Sequence, residues 1–227
     1  MTDLRFTHEI AARRKSAPST VADLLRDRMI AGELEPGTRL RVEKISESLG
    51  VSANTVREAL QMLERERLVT QFLNRGIFVS ELTADGVRDL YLMRRLIECG
   101  ILRSADSVPP DALAGLRESV ALGEEALATR NWSAAADATT RFHSALVAIA
   151  RSERVDVTMR QLLAELRLHM AHLESDREIH QQFIAQHRPL LNLIEAHDFA
   201  AAADSLERYL HEGEQVSLRL IEETQSG

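Results

Sequence analysis

From Val21 onward the apolar residues recur at intervals of three and four, the spacing that gathers them on one face of a helix. Val21, Leu24, Leu25 and Met29 form the first such stripe and predict a helix capped by Ser19 or Thr20 and stopped at Gly32. After a turn at Glu35, Pro36 and Gly37, two short helical patterns cover residues 43–49 and 53–66, separated by Leu49, Gly50, Val51 and Ser52. Gly50 can take a positive φ at little cost in a tight turn, and Ser52 suits the N-cap of the second helix. This is helix-turn-helix spacing. In the second helix Val56, Ala59, Leu60 and Leu63 share a face, which leaves Asn54, Thr55, Arg57, Glu58 and Gln61 toward solvent. Residues 68–73 and 77–80 read as strands, with Asn74, Arg75 and Gly76 as the hairpin turn between them. A helix-turn-helix followed by a hairpin is a winged helix.

Beyond Thr83 no strand pattern returns. Six helices are predicted at 84–105, 110–130, 133–150, 154–174, 176–197 and 199–222, their starts marked by Thr83, by Pro109 and Pro110, and by Ser133. The expected fold is therefore mostly α: a winged helix-turn-helix over residues 16–81 and an all-α domain over residues 82–227. Residues 1–15, which carry Arg13, Arg14 and Lys15 without apolar periodicity, are expected to be a flexible arm.

Composition supports this division. Glycine (10) and proline (5) are scarce and aromatic residues make up 4%, which favours helix. The net charge of −7 belongs to the second part of the chain: residues 1–81 carry 13 Lys and Arg against 12 Asp and Glu, residues 82–227 carry 15 against 23. Only the first module therefore suits a polyanion. The single cysteine, Cys99, lies in an apolar stretch and reads as a buried hydrophobe. With no apolar run resembling a signal peptide or a membrane span, a cytoplasmic protein is expected. Paired carboxylates beside the histidines, a nucleophile motif and a glycine-rich phosphate loop are all missing, so the chain does not read as an enzyme.

The stretch RMIAGELEPGTRL at residues 28–40, LGVSANTVREALQMLE at 49–64 and NRGIFV at 74–79 together resemble the signature of the GntR family of transcriptional regulators. Downstream, FH at 142–143 and QHRPLL at 186–191 resemble the family's FCD ligand-binding domain, and the length suits the VanR-like branch of this FadR-type subfamily. The resemblance implies a homodimer on palindromic double-stranded DNA, a recognition helix in the major groove, and control by a small-molecule effector, most often as a repressor. It places Ser52, Asn54, Thr55, Arg57 and the wing residue Gly76 at DNA. Ala53 departs from the family pattern, because many relatives carry arginine there, and the operator is expected to differ accordingly.

Relatives with this domain often hold zinc, nickel or manganese with an Asp, a His four residues on, and two further histidines. His143 and His187 match two of these positions, whereas Thr139 and Tyr209 stand where the Asp and the last His are expected. Asp137 and His211 lie two residues off, about 200° around their helices. The reading thus requires no cofactor: an organic acid or other small metabolite is held by Arg94, Thr139, His143, His187 and Tyr209, with Arg94 pairing its carboxylate. Two alternatives stay open. One is a metal-dependent sensor using His143 and His187 with other ligands such as His169, His172 or His180; the other is a ligand-independent architectural DNA-binding protein.

Overall fold

The computed structural model describes residues 16–170 and 177–226. The proposed arm at 1–15 and His172 lie outside the described residues. The chain opens with α1 (Ala17–Ile30), whose cap is Ser16 rather than Ser19 or Thr20: the Ser16 hydroxyl accepts from the Ser19 amide, and Pro18 occupies the first turn, where its missing N–H costs nothing. A two-residue strand β1 (Arg39–Leu40) precedes α2 (Val42–Leu49) and α3 (Ala53–Arg65). Gly50 ends α2 in the left-handed region (φ 65°), and Ser52 caps α3 by accepting from the Thr55 amide at 3.1 Å. Strands β2 (Val69–Phe72) and β3 (Gly76–Val79) form the hairpin, and β1 adds to its far side in the antiparallel order β1-β3-β2. Strand β1 is an addition to the predicted elements, because a two-residue strand carries no periodicity and exists only through its pairing with Ile77 and Phe78.

The all-helical part contains α4 (Ala84–Arg94), a π-helical turn (Arg95–Cys99) and α5 (Gly100–Ser104), which follow one another without interruption where the spacing predicts a single helix. Next come α6 (Pro110–Thr129), α7 (Trp132–Val147) with a 3-10 turn at Ala148–Ala150, α8 (Glu153–Met170), α9 (Arg177–Glu195) and α10 (Phe199–Ser226). The cap of α7 is Asn131, whose side chain accepts from the Ala134 amide at 3.1 Å, so Ser133 lies inside the first turn.

Among the described residues two large apolar cores form, beside a small cluster of Ala126, Ala135 and Ile184. One joins α1, α3 and the strands through Val21, Leu25, Leu60, Leu63 and Val69; the other fills the helical domain around Leu102, Phe142, Leu146, Leu191 and Leu210. Leu168 of α8 is buried in the first core, so the helical domain packs directly against the winged helix. Cys99 is buried in the second, where burial pushes its thiol up to about 11, consistent with an inert, packed side chain.

Candidate functional site

The exposed face of α3 is set by its buried one. Val56, Ala59, Leu60 and Leu63 are all nearly inaccessible, and a bidentate pair from Arg26 of α1 to Glu66 (2.9 and 2.8 Å) ties down the helix's far end. The polar residues at its start are then displayed outward, but they are not equally available. Ser52 and Thr55 bond each other (2.9 Å between hydroxyl oxygens) as part of the cap, and the Asn54 amide donates to Glu58 at 2.6 Å. Arg57 is exposed and makes no hydrogen bond or ion pair with any described residue. Gly76 has φ 106°, and a Cβ there would lie 3.2 Å from the Arg39 guanidinium, so glycine meets both a backbone and a packing requirement at the wing. At the tip of the hairpin Leu73 projects almost fully into solvent.

The second constellation is buried in the helical domain, where Arg94, His143, His187 and Tyr209 do come together. The link between them is Glu98, which has no place among the residues singled out from sequence. Arg94 Nε donates to Glu98 Oε1 at 2.8 Å, and the other carboxylate oxygen lies 2.5 Å from His143 Nδ1. His143 Nε2 lies 3.1 Å and His187 Nε2 3.3 Å from the same Tyr209 hydroxyl. All five side chains are buried, and the π-helical turn carries Glu98 into the cluster. Such turns are concentrated at functional sites.

Charge and hydrogen-bond direction follow from these contacts. Burial would raise the Glu98 carboxyl, but Arg94 and His143 outweigh it and hold the group below the usual carboxylate range, so it is ionised. Burial lowers the His143 pKa despite Glu98, and lowers that of His187 well below the ordinary value, so both rings are neutral. His143 must then donate from Nδ1 to Glu98 and accept at Nε2 from the Tyr209 hydroxyl. Tyr209, its own ionisation pushed far up by burial, in turn accepts from His187 Nε2–H. The relay leaves His187 Nδ1 a bare, buried acceptor, and one terminal nitrogen of Arg94 a buried donor, each without a partner.

Beside this relay is a cavity of about 90 Å³, lined among others by Tyr91, Arg94, Thr139, His143, Phe183 and Tyr209. The Tyr91 ring lies 5.4 Å from the Arg94 guanidinium, a cation–π contact. His187 does not line the cavity; it stacks on Phe142 at 4.2 Å and supports Tyr209 from behind. That placement sets its Nε2 on the Tyr209 hydroxyl rather than on the cavity wall. Thr139 faces the cavity while its hydroxyl donates to the Ala135 carbonyl at 3.2 Å.

These groups do not fit a resident divalent metal. A tight site needs three or four converging lone pairs, whereas both imidazole Nε2 atoms are spent on a protonated phenol and Glu98 is spent on Arg94 and His143. Asp137 is turned away to Arg167 (3.2 Å), His211 is exposed, and His169 Nε2 is 3.2 Å from the Ser217 carbonyl. Among the described residues no three His, Cys, Asp or Glu side chains converge.

Residues 18–79 match the bacterial regulatory proteins of the gntR family, and residues 89–212 match the FCD domain. The chain therefore belongs to the GntR family of bacterial regulatory proteins, with an FCD domain after its winged helix. It is 34% identical to the GntR transcriptional regulator of Rhodococcus sp. RHA1, whose crystal structure superposes with a TM-score of 0.82 over 90% of this chain and 98% of that one. It is 28% identical over 198 residues to an HTH-type transcriptional regulator from an unstable DNA locus of Streptomyces ambofaciens, covering 82% of this chain and 78% of that protein. A match of 38% over 81 residues to the HTH-type regulator BphR of Paraburkholderia xenovorans LB400 spans 36% of this chain and only 33% of that protein. The relatives are transcriptional regulators, not enzymes, and no described helix is long and apolar enough to cross a membrane.

Proposed function

We propose that the protein is a cytoplasmic, dimeric repressor of the VanR-like branch, whose hold on a palindromic operator is changed by a small carboxylate in the helical domain. Residues 16–81 bind DNA through Arg57, Ser52, Asn54, Thr55 and Gly76, and residues 82–227 carry the effector site and the dimer interface. Repression is the simpler mechanism, since occupying a promoter needs no contact with polymerase.

What carries the effector reading is the guanidinium of Arg94. It is 2% exposed, lines the cavity, and keeps one terminal nitrogen without a partner. Leaving such a donor unsatisfied costs about 1–3 kcal/mol, which a carboxylate oxygen would recover. Because Glu98 already occupies Nε, the acid meets the outer end of the guanidinium rather than its side. The cavity is small, about 90 Å³, so the ligand is a short acid.

The test is capture of genomic fragments by the purified full-length protein, followed by elution with acetate, propionate, lactate or pyruvate. Enrichment of one or a few palindromes, released by one of these acids, is the expected result. Equal retention of every duplex would instead favour the architectural reading, and a response that required added zinc the metal-dependent one.

Leu92, Met93 and Leu96 form an exposed apolar ridge on the first helix of this domain, with Leu96 64% exposed, and we assign the dimer interface to it. Leu96→Asp would bury a charge in that interface at a cost of several kcal/mol. Sedimentation equilibrium should show the dimer dissociation constant raised by about two orders of magnitude or more. An unchanged mass would move the interface elsewhere.

A further inference from the structure

Between the winged helix and the helical domain is a second cavity, of about 940 Å³. It is far larger than the space beside Arg94 and lies within the span of small-molecule pockets, about 300–1,000 Å³. Val69, Leu168 and Ile221 give it buried apolar surface, and among them lies one carboxyl, that of Glu165 on α8. Glu165 is 9% exposed and makes no hydrogen bond or ion pair with any described residue. Arg67, from the turn after α3, is exposed on the cavity's edge and lies beyond ion-pair distance. The remaining charged edge is acidic, formed by the exposed Glu35, Glu64 and Glu81, while His169 on the wall is engaged with the Ser217 carbonyl.

We propose that this interdomain cavity is a ligand site separate from the one beside Arg94, and that it takes an organic cation with an apolar body, whose ammonium pairs with Glu165. A buried carboxyl without a partner is costly, and it can be relieved either by a proton or by a cation. Burial pushes Glu165 up to about 7 and Asp89 of α4 adds to this, while Arg67 lowers it only in part, so near neutrality the proton fills the role the cation would take. The apolar surface beside the carboxyl accommodates an alkyl or aryl group, and the acidic edge draws cations rather than acids. A ligand here touches β2 and the end of α3 on one side and α8 and α10 on the other, so it bears directly on how the DNA-binding head sits.

The experiment uses the full-length protein without DNA, so its outcome is independent of the operator and of the acid site. Hexylammonium, 1-hexanol and hexanoate are titrated calorimetrically at a pH of about 8, where Glu165 is largely ionised. Hexylammonium should saturate one site per chain at least about tenfold more tightly than hexanol, and hexanoate should not compete with it. In Glu165→Gln, hexylammonium and hexanol should bind alike, and Arg67→Gln should tighten hexylammonium. Near neutral pH, binding should release a fraction of a proton, seen as a heat that depends on the buffer. Equal affinity for hexanol in the parent chain, hexylammonium binding unaltered by Glu165→Gln, or no saturable binding up to about 10 mM would each overturn the proposal. Should Glu165→Gln fail to fold, the Arg67→Gln result and the parent's preference for the cation decide the matter.

Discussion

The Glu98→Leu variant is expected to melt on the order of 10 °C below the parent chain. Removing this carboxylate takes from Arg94 its ion-pair partner and from His143 its Nδ1 acceptor, with every group involved fully buried. Breaking one side of a buried pair costs about 3–5 kcal/mol, because the charge left behind has neither water nor partner. The double variant Arg94→Met/Glu98→Leu leaves no charge and should recover most of the loss, since buried pairs replaced by apolar residues of similar size are often neutral in stability. A thermal melt of the two single variants and the double one completes the cycle. If the double variant were as unstable as Glu98→Leu, the pair would not be the source of the effect. The same cycle separates folding from sensing: Arg94→Met alone would strand Glu98, so a lost effector response in that variant is ambiguous, whereas the double variant keeps the fold and should bind operator without releasing it.

Much of the fold is legible along the chain because the elements announce themselves locally. Gly50 and Ser52 mark both ends of the helix-turn-helix turn by backbone preference alone, and the stripe Val56, Ala59, Leu60, Leu63 fixes which side of α3 faces the core. What escapes is decided by partners distant in sequence. Strand β1 exists only beside β3, and the π-helical turn leaves the apolar spacing of the surrounding helix unbroken, so neither has a signature of its own. The Ser16 cap is hidden because Ser19 and Thr20, equally good caps by composition, stand closer to the apolar stripe. Glu98 is hidden for a different reason: a glutamate in a helix is ordinarily solvated. Its signal is nonetheless present, as an Arg94–Glu98 spacing of four on the buried side of the helix, next to Cys99. Glu165 has a similar sign, a charge set among Leu162, Leu163 and Leu168. Histidine positions draw attention to themselves by residue type, yet His187 is packed against Phe142 and reaches the cavity only through Tyr209.

Arg57→Ala should remove operator recognition while leaving the melting temperature within about 1 °C of the parent's, because the side chain is exposed and touches nothing that holds α3 in place. Of the polar groups at the start of that helix, Ser52 and Thr55 are engaged in capping and Asn54 in its bond to Glu58, so each meets a base with only part of its hydrogen-bonding capacity. Arg57 brings all of its own, and its five donors can meet both acceptors of a guanine edge, an interaction worth about 1–3 kcal/mol of discrimination. On a palindrome the dimer forfeits that interaction twice, so specific affinity should fall by roughly two orders of magnitude or more. Titrating parent and variant against the captured palindrome and against a scrambled duplex, over a range of salt, distinguishes the two roles an arginine can have. Removing a base reader weakens binding to the palindrome only and keeps the parent's salt dependence. Removing a phosphate-binding arginine weakens both duplexes alike and flattens the salt slope by about one unit for each phosphate no longer neutralised; that outcome would shift the reading of sequence to Asn54 and to the wing around Gly76, and Ala53 would then stand as the reason the helix reads so little.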